Sequence, residues 1–271
     1  MDNQEINLNS GENNISLSKE KSTFIPGGRA VGAGAATEWI SDAWNMFKAN
    51  PGQWILFALV YIVILVILNF IPVINLISGI FSSVFVAGFI AAAEKQRTTG
   101  NFEIDFLFHG FKNKLGSLIA VSVLYLAIYM LGLFAALLAI GVGALELFST
   151  SQYSDPGLLM SHSPSLILAI LVFFIFGMVA LAFAWFAPAL IIINNLKFGE
   201  AVSMSLNAVR KNLLGGFLFF LLMGVLLIVS MIPFFLGLIV TMPMTLIVYY
   251  TTYRSIFYTP EEKETKSSLI V

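Results

Sequence analysis

The sequence predicts an all-α, polytopic membrane protein: six transmembrane helices arranged as three hairpins, each preceded by a cytoplasmic amphipathic helix. Three observations carry this. Hydrophobic residues make up 58% of the 271-residue chain and charged residues only 11%, with a mean hydropathy of +0.90, whereas soluble domains carry about 25% charge. Six apolar runs occupy 53–71, 73–93, 116–143, 165–193, 213–232 and 234–253. A helix rising 1.5 Å per residue needs roughly 20 such residues to cross a hydrocarbon core about 30 Å thick. Finally, all 14 Lys and Arg residues lie on one side of the topology that these runs define.

Each run reads as a helix because backbone groups in lipid must be satisfied within their own segment, and a barrel would not give unbroken apolar runs. No Asp, Glu, Lys or Arg stands near the centre of any run. The third and fourth runs exceed what a perpendicular helix needs, which predicts tilt, a break, or projection beyond the bilayer. Pro188, near the end of the fourth, is the candidate kink.

Orientation follows from the basic residues. Lys19, Lys21, Arg29 and Lys48 precede the first run, and Lys95, Arg97, Lys112 and Lys114 separate the second from the third. Lys197, Arg210 and Lys211 separate the fourth from the fifth, and Arg254, Lys263 and Lys266 follow the sixth. The alternate connections, around Pro72, 145–164 and Pro233, hold none. Basic residues stay cytoplasmic, so both termini are expected inside.

The domain organisation expected is a disordered cytoplasmic tail over 1–37, a membrane domain over 38–257 and a short cytoplasmic tail over 258–271. The first tail carries no apolar stretch of signal-peptide type. The membrane domain divides into repeat units of about 38–93, 102–193 and 200–257. The segments before runs one, three and five align without gaps: Ile40, Trp44, Phe47 and Lys48 match Ile104, Phe108, Phe111 and Lys112, and again Val202, Leu206, Val209 and Arg210. Spacing i, i+4, i+7 sets three apolar groups on one helical face, with a basic residue next. The first and third units also share a proline between their runs, at Pro72 and Pro233, where the middle unit has a polar connection. Two-span copies keep one orientation, so the repeats are parallel ones about an axis along the membrane normal.

The amphipathic segments hold the candidate interface residues: Arg29, Trp39, Trp44, Phe47, Lys48, Phe108, Phe111, Lys112, Val209 and Arg210. Trp39, Trp44 and Trp54 suit the headgroup layer, where an indole has one wet edge and one apolar face. Neighbouring Lys and Arg would meet anionic lipid headgroups, at about 1 kcal/mol each. Membrane lipids are therefore the expected partners, with a membrane protein or a second copy as the protein partner; nucleic acid is not expected.

Arg29-Ala30-Val31, Gly34, Trp39-Ile40, Ala43-Trp44, Phe47, Pro51 and Trp54 resemble the N-terminal signature of a family of uncharacterised bacterial six-span integral membrane proteins. Phe186-Ala187-Pro188-Ala189-Leu190, Glu200-Ala201 and Ser205 resemble that family's fourth span and the helix after it. The likeness covers about Arg29 to the sixth run, and it implies a bacterial cytoplasmic (inner) membrane location but carries no activity.

Catalytic chemistry is not expected. The chain has no cysteine, and its two histidines, His109 and His162, fall on opposite sides of the expected membrane. No phosphate-binding, dinucleotide, zinc-protease or nucleophile-elbow motif occurs. The sequence thus points to a non-enzymatic protein without catalytic, cofactor or metal residues, acting as a scaffold or accessory, lipid-interacting component. The alternative is a transporter or channel for an apolar or weakly polar solute.

Overall fold

A computed structural model describes residues 22–70, 79–149 and 163–260, with 142–149 and 163 described by their backbone alone. Its regular elements, in chain order, are α1 (Ala35–Ala49), α2 (Pro51–Asn69), a 3-10 turn (Gly79–Phe81), α3 (Ser82–Thr99), a second 3-10 turn (Ile104–Phe108), α4 (His109–Lys112), α5 (Leu115–Ser149), α6 (Ser163–Ala184), α7 (Ala187–Ile192), α8 (Phe198–Lys211), α9 (Leu213–Met231) and α10 (Leu238–Phe257). Among the described residues the only strand-type pairing is an isolated bridge between Phe24 and Tyr258.

Four helices are long and apolar enough to cross a membrane: Pro51–Asn69, Leu115–Gly141, Pro164–Ile192 and Leu213–Met231. They expose large side chains, such as Phe174 at 62% and Ile228 at 65%, over surfaces far larger than a water-soluble protein tolerates. The second and sixth expected runs behave differently. Residues 71–78, with Pro72, lie outside the described residues, and the described part of the second run is the Gly79–Phe81 turn and α3. Both α3 and α10 are buried along most of their length.

The burial has a simple architectural cause. α3, α7 and α10 pack against one another, and each closes its own unit. The amphipathic segment of every unit then packs on the closing helix of the unit before it: α1 on α10, the Ile104–Lys112 segment on α3, and α8 on α6 and α7. Positions that the aligned segments place in the helices that follow are buried in most cases. Trp54 and Leu118 occupy equivalent positions and are fully buried, and Phe57, Val121 and Phe219 fill the next equivalent position at 3% exposure or less.

The amphipathic segments differ in form. α1 buries Ala35, Ala36, Trp39, Ala43 and Phe47, and α8 buries Ala201, Val202, Ser205 and Ala208, one stripe each at helical spacing. In the middle unit the expected helix is a 3-10 turn followed by the four-residue α4. Backbone packs on backbone there. A Cβ on Gly88 would stand 2.6 Å from the Leu107 carbonyl oxygen, and one on Gly110 would stand 2.3 Å from that of Val84. Only glycine at both positions permits this approach.

The two long runs resolve in two ways. α5 continues for 35 residues, about 52 Å at 1.5 Å per residue, and so outruns a bilayer core. The fourth run breaks between α6 and α7 at Trp185 and Phe186. Pro188 sits buried in the first turn of α7, where a missing N–H is tolerated. The break has a second cause in α8: the Ser205 hydroxyl donates to the Ala182 carbonyl (2.8 Å) and accepts the Phe186 amide (3.1 Å). It thus takes the place of the 186-to-182 helix bond, a recognised origin of kinks.

The expected tail over 1–37 is described only from Ser22 onward. Residues before Ser22 lie outside the described residues, but 22–34 form an ordered strap and α1 already begins at Ala35. The Ile25 amide bonds the Phe257 carbonyl at 2.8 Å, the Arg29 amide bonds that of Ile256 at 2.9 Å, and Thr259 bonds Thr23 at 3.1 Å. A composition poor in apolar residues still orders where backbone groups find partners on α10.

Candidate functional site

α3, α7 and α10 end side by side, and their C-terminal ends carry the described polar chemistry. Arg97 of α3 forms an ion pair with Glu94 one turn earlier, Nη2 to Oε1 at 2.7 Å. Its Nε donates to the Tyr250 hydroxyl of α10 at 2.8 Å, and that hydroxyl in turn donates to Glu94 Oε2. The Arg97 guanidinium, protonated under all ordinary conditions, is thus a fixed cation held by Glu94 and Tyr250. Alongside, the Tyr253 hydroxyl donates to Asn194 Oδ1 at 2.5 Å, and Asn194 Nδ2 donates to the Tyr258 hydroxyl at 3.2 Å. Arg254 lies over the Tyr258 ring, 3.9 Å from its centroid. Two arginines beside the carbonyl ends of helices suit the helix dipoles.

A second layer joins this cluster to the amphipathic segments. The fully buried Trp54 donates its indole N–H to Gln96 Oε1 at 2.7 Å, and Gln96 Nε2 donates to the Met46 carbonyl at 2.8 Å, so one glutamine ties α1, α2 and α3. Asn212, between α8 and α9, holds the strap. Its Oδ1 accepts the Val31 amide at 2.9 Å, and its Nδ2 donates to the Arg29 and Ala208 carbonyls at 2.9 Å each. Lys211 Nζ adds bonds to the Gly27 and Gly28 carbonyls at 3.2 and 2.8 Å.

The residues expected at the interface divide by this geometry. Arg29 is half-buried and its Nε donates to the Ser255 carbonyl at 3.0 Å, which makes it a clasp on α10. Trp39 and Phe47 are buried in the core, Trp39 edge-on to Phe219 at 5.8 Å. Trp39 and Trp54 are therefore not placed to meet headgroups; a stripe at helical spacing cannot tell a core face from a lipid face. Trp44 is exposed, stacked on Phe47, with Lys48 Nζ 5.5 Å from its ring centre. Phe108 is exposed, Phe111 is half-buried against Phe81 and Phe85, and Lys112 reaches Asp105 at 3.6 Å. Val209 is half-buried beside an apolar cleft, and Arg210 is exposed. His109 stacks on Phe106 at 5.5 Å, and burial lowers its pKa, assisted by Lys112 and opposed by Asp105. His162 lies outside the described residues.

Sequence reasoning missed Glu94, Gln96, Arg97, Asn194, Ser205, Asn212 and Tyr250 as structural partners. One signal was present: Glu94-Lys95-Gln96-Arg97 directly abuts the end of the second run, with opposite charges at i, i+3. The rest are single polar residues whose long-range partners lie 19 to 183 positions away.

No protein-family model matches the chain, and neither a curated protein nor a solved structure is detectably similar to it. Fold and composition define an all-helical protein whose long apolar helices fit a membrane.

Proposed function

We propose that this is a non-enzymatic, six-span protein of the bacterial cytoplasmic membrane, with both termini cytoplasmic, that acts as a scaffold or accessory component docking a membrane partner. It would belong with the bacterial membrane-protein family that its N-terminal signature resembles. On this reading α3 and α10 are the second and sixth spans, screened from lipid because they form the central contacts. One observation carries the proposal. The amphipathic segments bury one stripe against the closing helices and leave Trp44, Lys48, Phe108, Lys112 and Arg210 exposed, an aromatic and cationic surface on a rigid base. Such a surface suits lipid headgroups and the acidic or aromatic face of a partner.

The test is native mass spectrometry of the protein taken from its own membrane into lipid-preserving nanodiscs. A stoichiometric second protein, lost when Trp44, Phe108 and Arg210 are replaced by Ala, supports docking. A lone protomer with an unaltered phenotype in the triple variant overturns it.

A carrier is the second reading, favoured by the break at Trp185 and Phe186 that Ser205 holds open, since discontinuous helices form solute sites in transporters. Proteoliposomes with no flux above empty vesicles for lipid and amphiphile probes would sink it.

A further inference from the structure

The turn between α9 and α10 is built of residues that water does not favour. No polar side chain stands between Ser230 and Thr241, so 231–237 reverse the chain on apolar side chains and glycine alone. Turns that face water draw on Asn, Asp and Ser as well. Here Phe234 is 92% and Ile232 75% exposed, with Phe235 and Leu236 exposed beside them. Phe234 and Phe235 also hold φ of 49° and 63°, in the left-handed region that bulky side chains avoid. Rings this exposed are not fixed by packing on the protein, so what compensates that backbone lies outside it.

The backbone of the turn closes on itself. Phe234, Phe235 and Leu236 donate their amides to the Ile232, Met231 and Pro233 carbonyls at 2.9, 3.1 and 3.0 Å, and Leu238 donates to the Phe235 carbonyl at 3.0 Å. Pro233 has no N–H to satisfy. The flanking hydroxyls of Ser230 and Thr241 donate to the Leu226 and Gly237 carbonyls at 2.7 and 3.2 Å. Hydrocarbon requires polar groups to find partners within the protein, whereas water would supply them. Length gives the turn a matching depth. α9 begins at Leu213, directly after the exposed Arg210 and Lys211, which mark the water's edge on the near side. Its 19 residues rise about 28 Å, against a hydrocarbon core about 30 Å thick, and tilt shortens that reach. Gly237 then brings α10 back at once: a Cβ there would stand 2.6 Å from Ser230 Cα.

We propose that the α9–α10 turn does not surface: it ends within the far leaflet, with Ile232, Phe234 and Phe235 among the acyl chains of that leaflet. Depth selects acyl chains over a protein groove, because the length of α9 sets the turn inside the leaflet whether or not a partner is bound. The inference rests on the membrane reading above and narrows it. The third hairpin offers nothing to a partner in the water beyond the far leaflet, so docking through this unit is confined to the face that carries Arg210.

The chain has no cysteine, so single nitroxide labels can be placed without background. The full chain carrying Phe234→Cys is labelled in vesicles of phosphatidylethanolamine and phosphatidylglycerol, and collisions are read with oxygen, which concentrates in hydrocarbon, and with a water-soluble nickel chelate. Leu221→Cys, exposed midway along α9, is the hydrocarbon reference, and Thr98→Cys, exposed at the end of α3, is the water reference. The oxygen-to-nickel collision ratio at Phe234 should match that at Leu221 within about threefold and exceed that at Thr98 by about tenfold, since an apolar phase excludes a polar chelate. Phe235→Cys, on the same turn, should repeat the result. Nickel collisions at Phe234 as frequent as at Thr98 would place the turn in water and overturn the proposal. A label shielded from both probes would mean that protein covers the turn, which overturns it equally. Failure of the membrane reading itself looks different: Leu221 would also be open to nickel, and an alkaline carbonate wash would release the protein.

Discussion

Replacing Asn212 with Ala should loosen the N-terminal strap locally and leave its outer half in place. The Asn212 side chain makes three bonds of 2.9 Å, to the Val31 amide and to the carbonyls of Arg29 and Ala208, and the residue is 7% exposed. Truncation strands the Val31 N–H and the Arg29 carbonyl in a part-buried site. Losing such partners costs about 1–3 kcal/mol, and at about 1.4 kcal/mol per decade a central value of about 2 kcal/mol is roughly a 30-fold change in local opening. The readout is hydrogen exchange in nanodiscs, followed at the Val31 amide. Ile25 is the internal control, because its amide bonds the Phe257 carbonyl, far from Asn212 in sequence, and its protection should hold within about threefold. Asn50, equivalent to Asn212 at the foot of the first unit, makes one bond at the surface, to the Gly100 carbonyl at 2.9 Å. Asn50→Ala should therefore change stability by no more than about 1 kcal/mol. Unchanged Val31 protection in Asn212→Ala would refute the reasoning, because the strap would then owe its order to other contacts.

Further outcomes follow from the same geometry. Gln96→Leu strands the buried Trp54 indole N–H and the Met46 carbonyl and should cost about 2–4 kcal/mol in denaturant unfolding, with non-additive behaviour in a cycle with Trp54→Phe; full additivity would deny the contact. Gly110→Ala forces a Cβ to 2.3 Å from the Val84 carbonyl oxygen, and overpacking against backbone should lower stability by at least about 1–3 kcal/mol, whereas Gly52→Ala, which meets nothing within 4 Å, should be tolerated. Ser205→Ala removes both bonds that hold the α6–α7 break open and should destabilise by about 1–3 kcal/mol; no change in melting temperature would mean the break is set by Pro188 alone. His109, its pKa lowered chiefly by burial, favours the neutral ring in the fold. Its stabilising contribution is complete above the unfolded value near 6.5 and fades as pH falls through the lower folded one, and an NMR titration placing the folded pKa above 6.5 would reverse the sign.

Much of the architecture was legible in the chain, and the reason is that the bilayer acts as a one-dimensional filter. Length and hydropathy alone locate a helix that must satisfy its own backbone, so the runs at 53–71, 116–143, 165–193 and 213–232 correspond to the four long apolar helices. The ungapped repeat register is equally a property of sequence, because equivalent positions must present the same face; Trp54 and Leu118, both fully buried, continue it into the helices beyond the segments that defined it. What composition could not decide is which apolar face meets lipid and which meets protein, since lipid tails and a protein core select the same side chains. Trp39 and Trp54 therefore read as headgroup anchors and turned out buried, while Trp44, five positions from Trp39, is exposed.

The polar partners belong wholly to the tertiary structure. Gln96, Asn212 and Ser205 are single residues of ordinary type, and their roles exist only because α1, the strap and the α6–α7 break arrive within 3 Å of them. Glu94, Arg97 and Tyr250 are separated by up to 156 positions and meet because three closing helices end together. Hydrophobic pattern is additive along the chain and can be read residue by residue. A hydrogen bond needs two groups brought together at a set distance and angle, and only the packed fold supplies that.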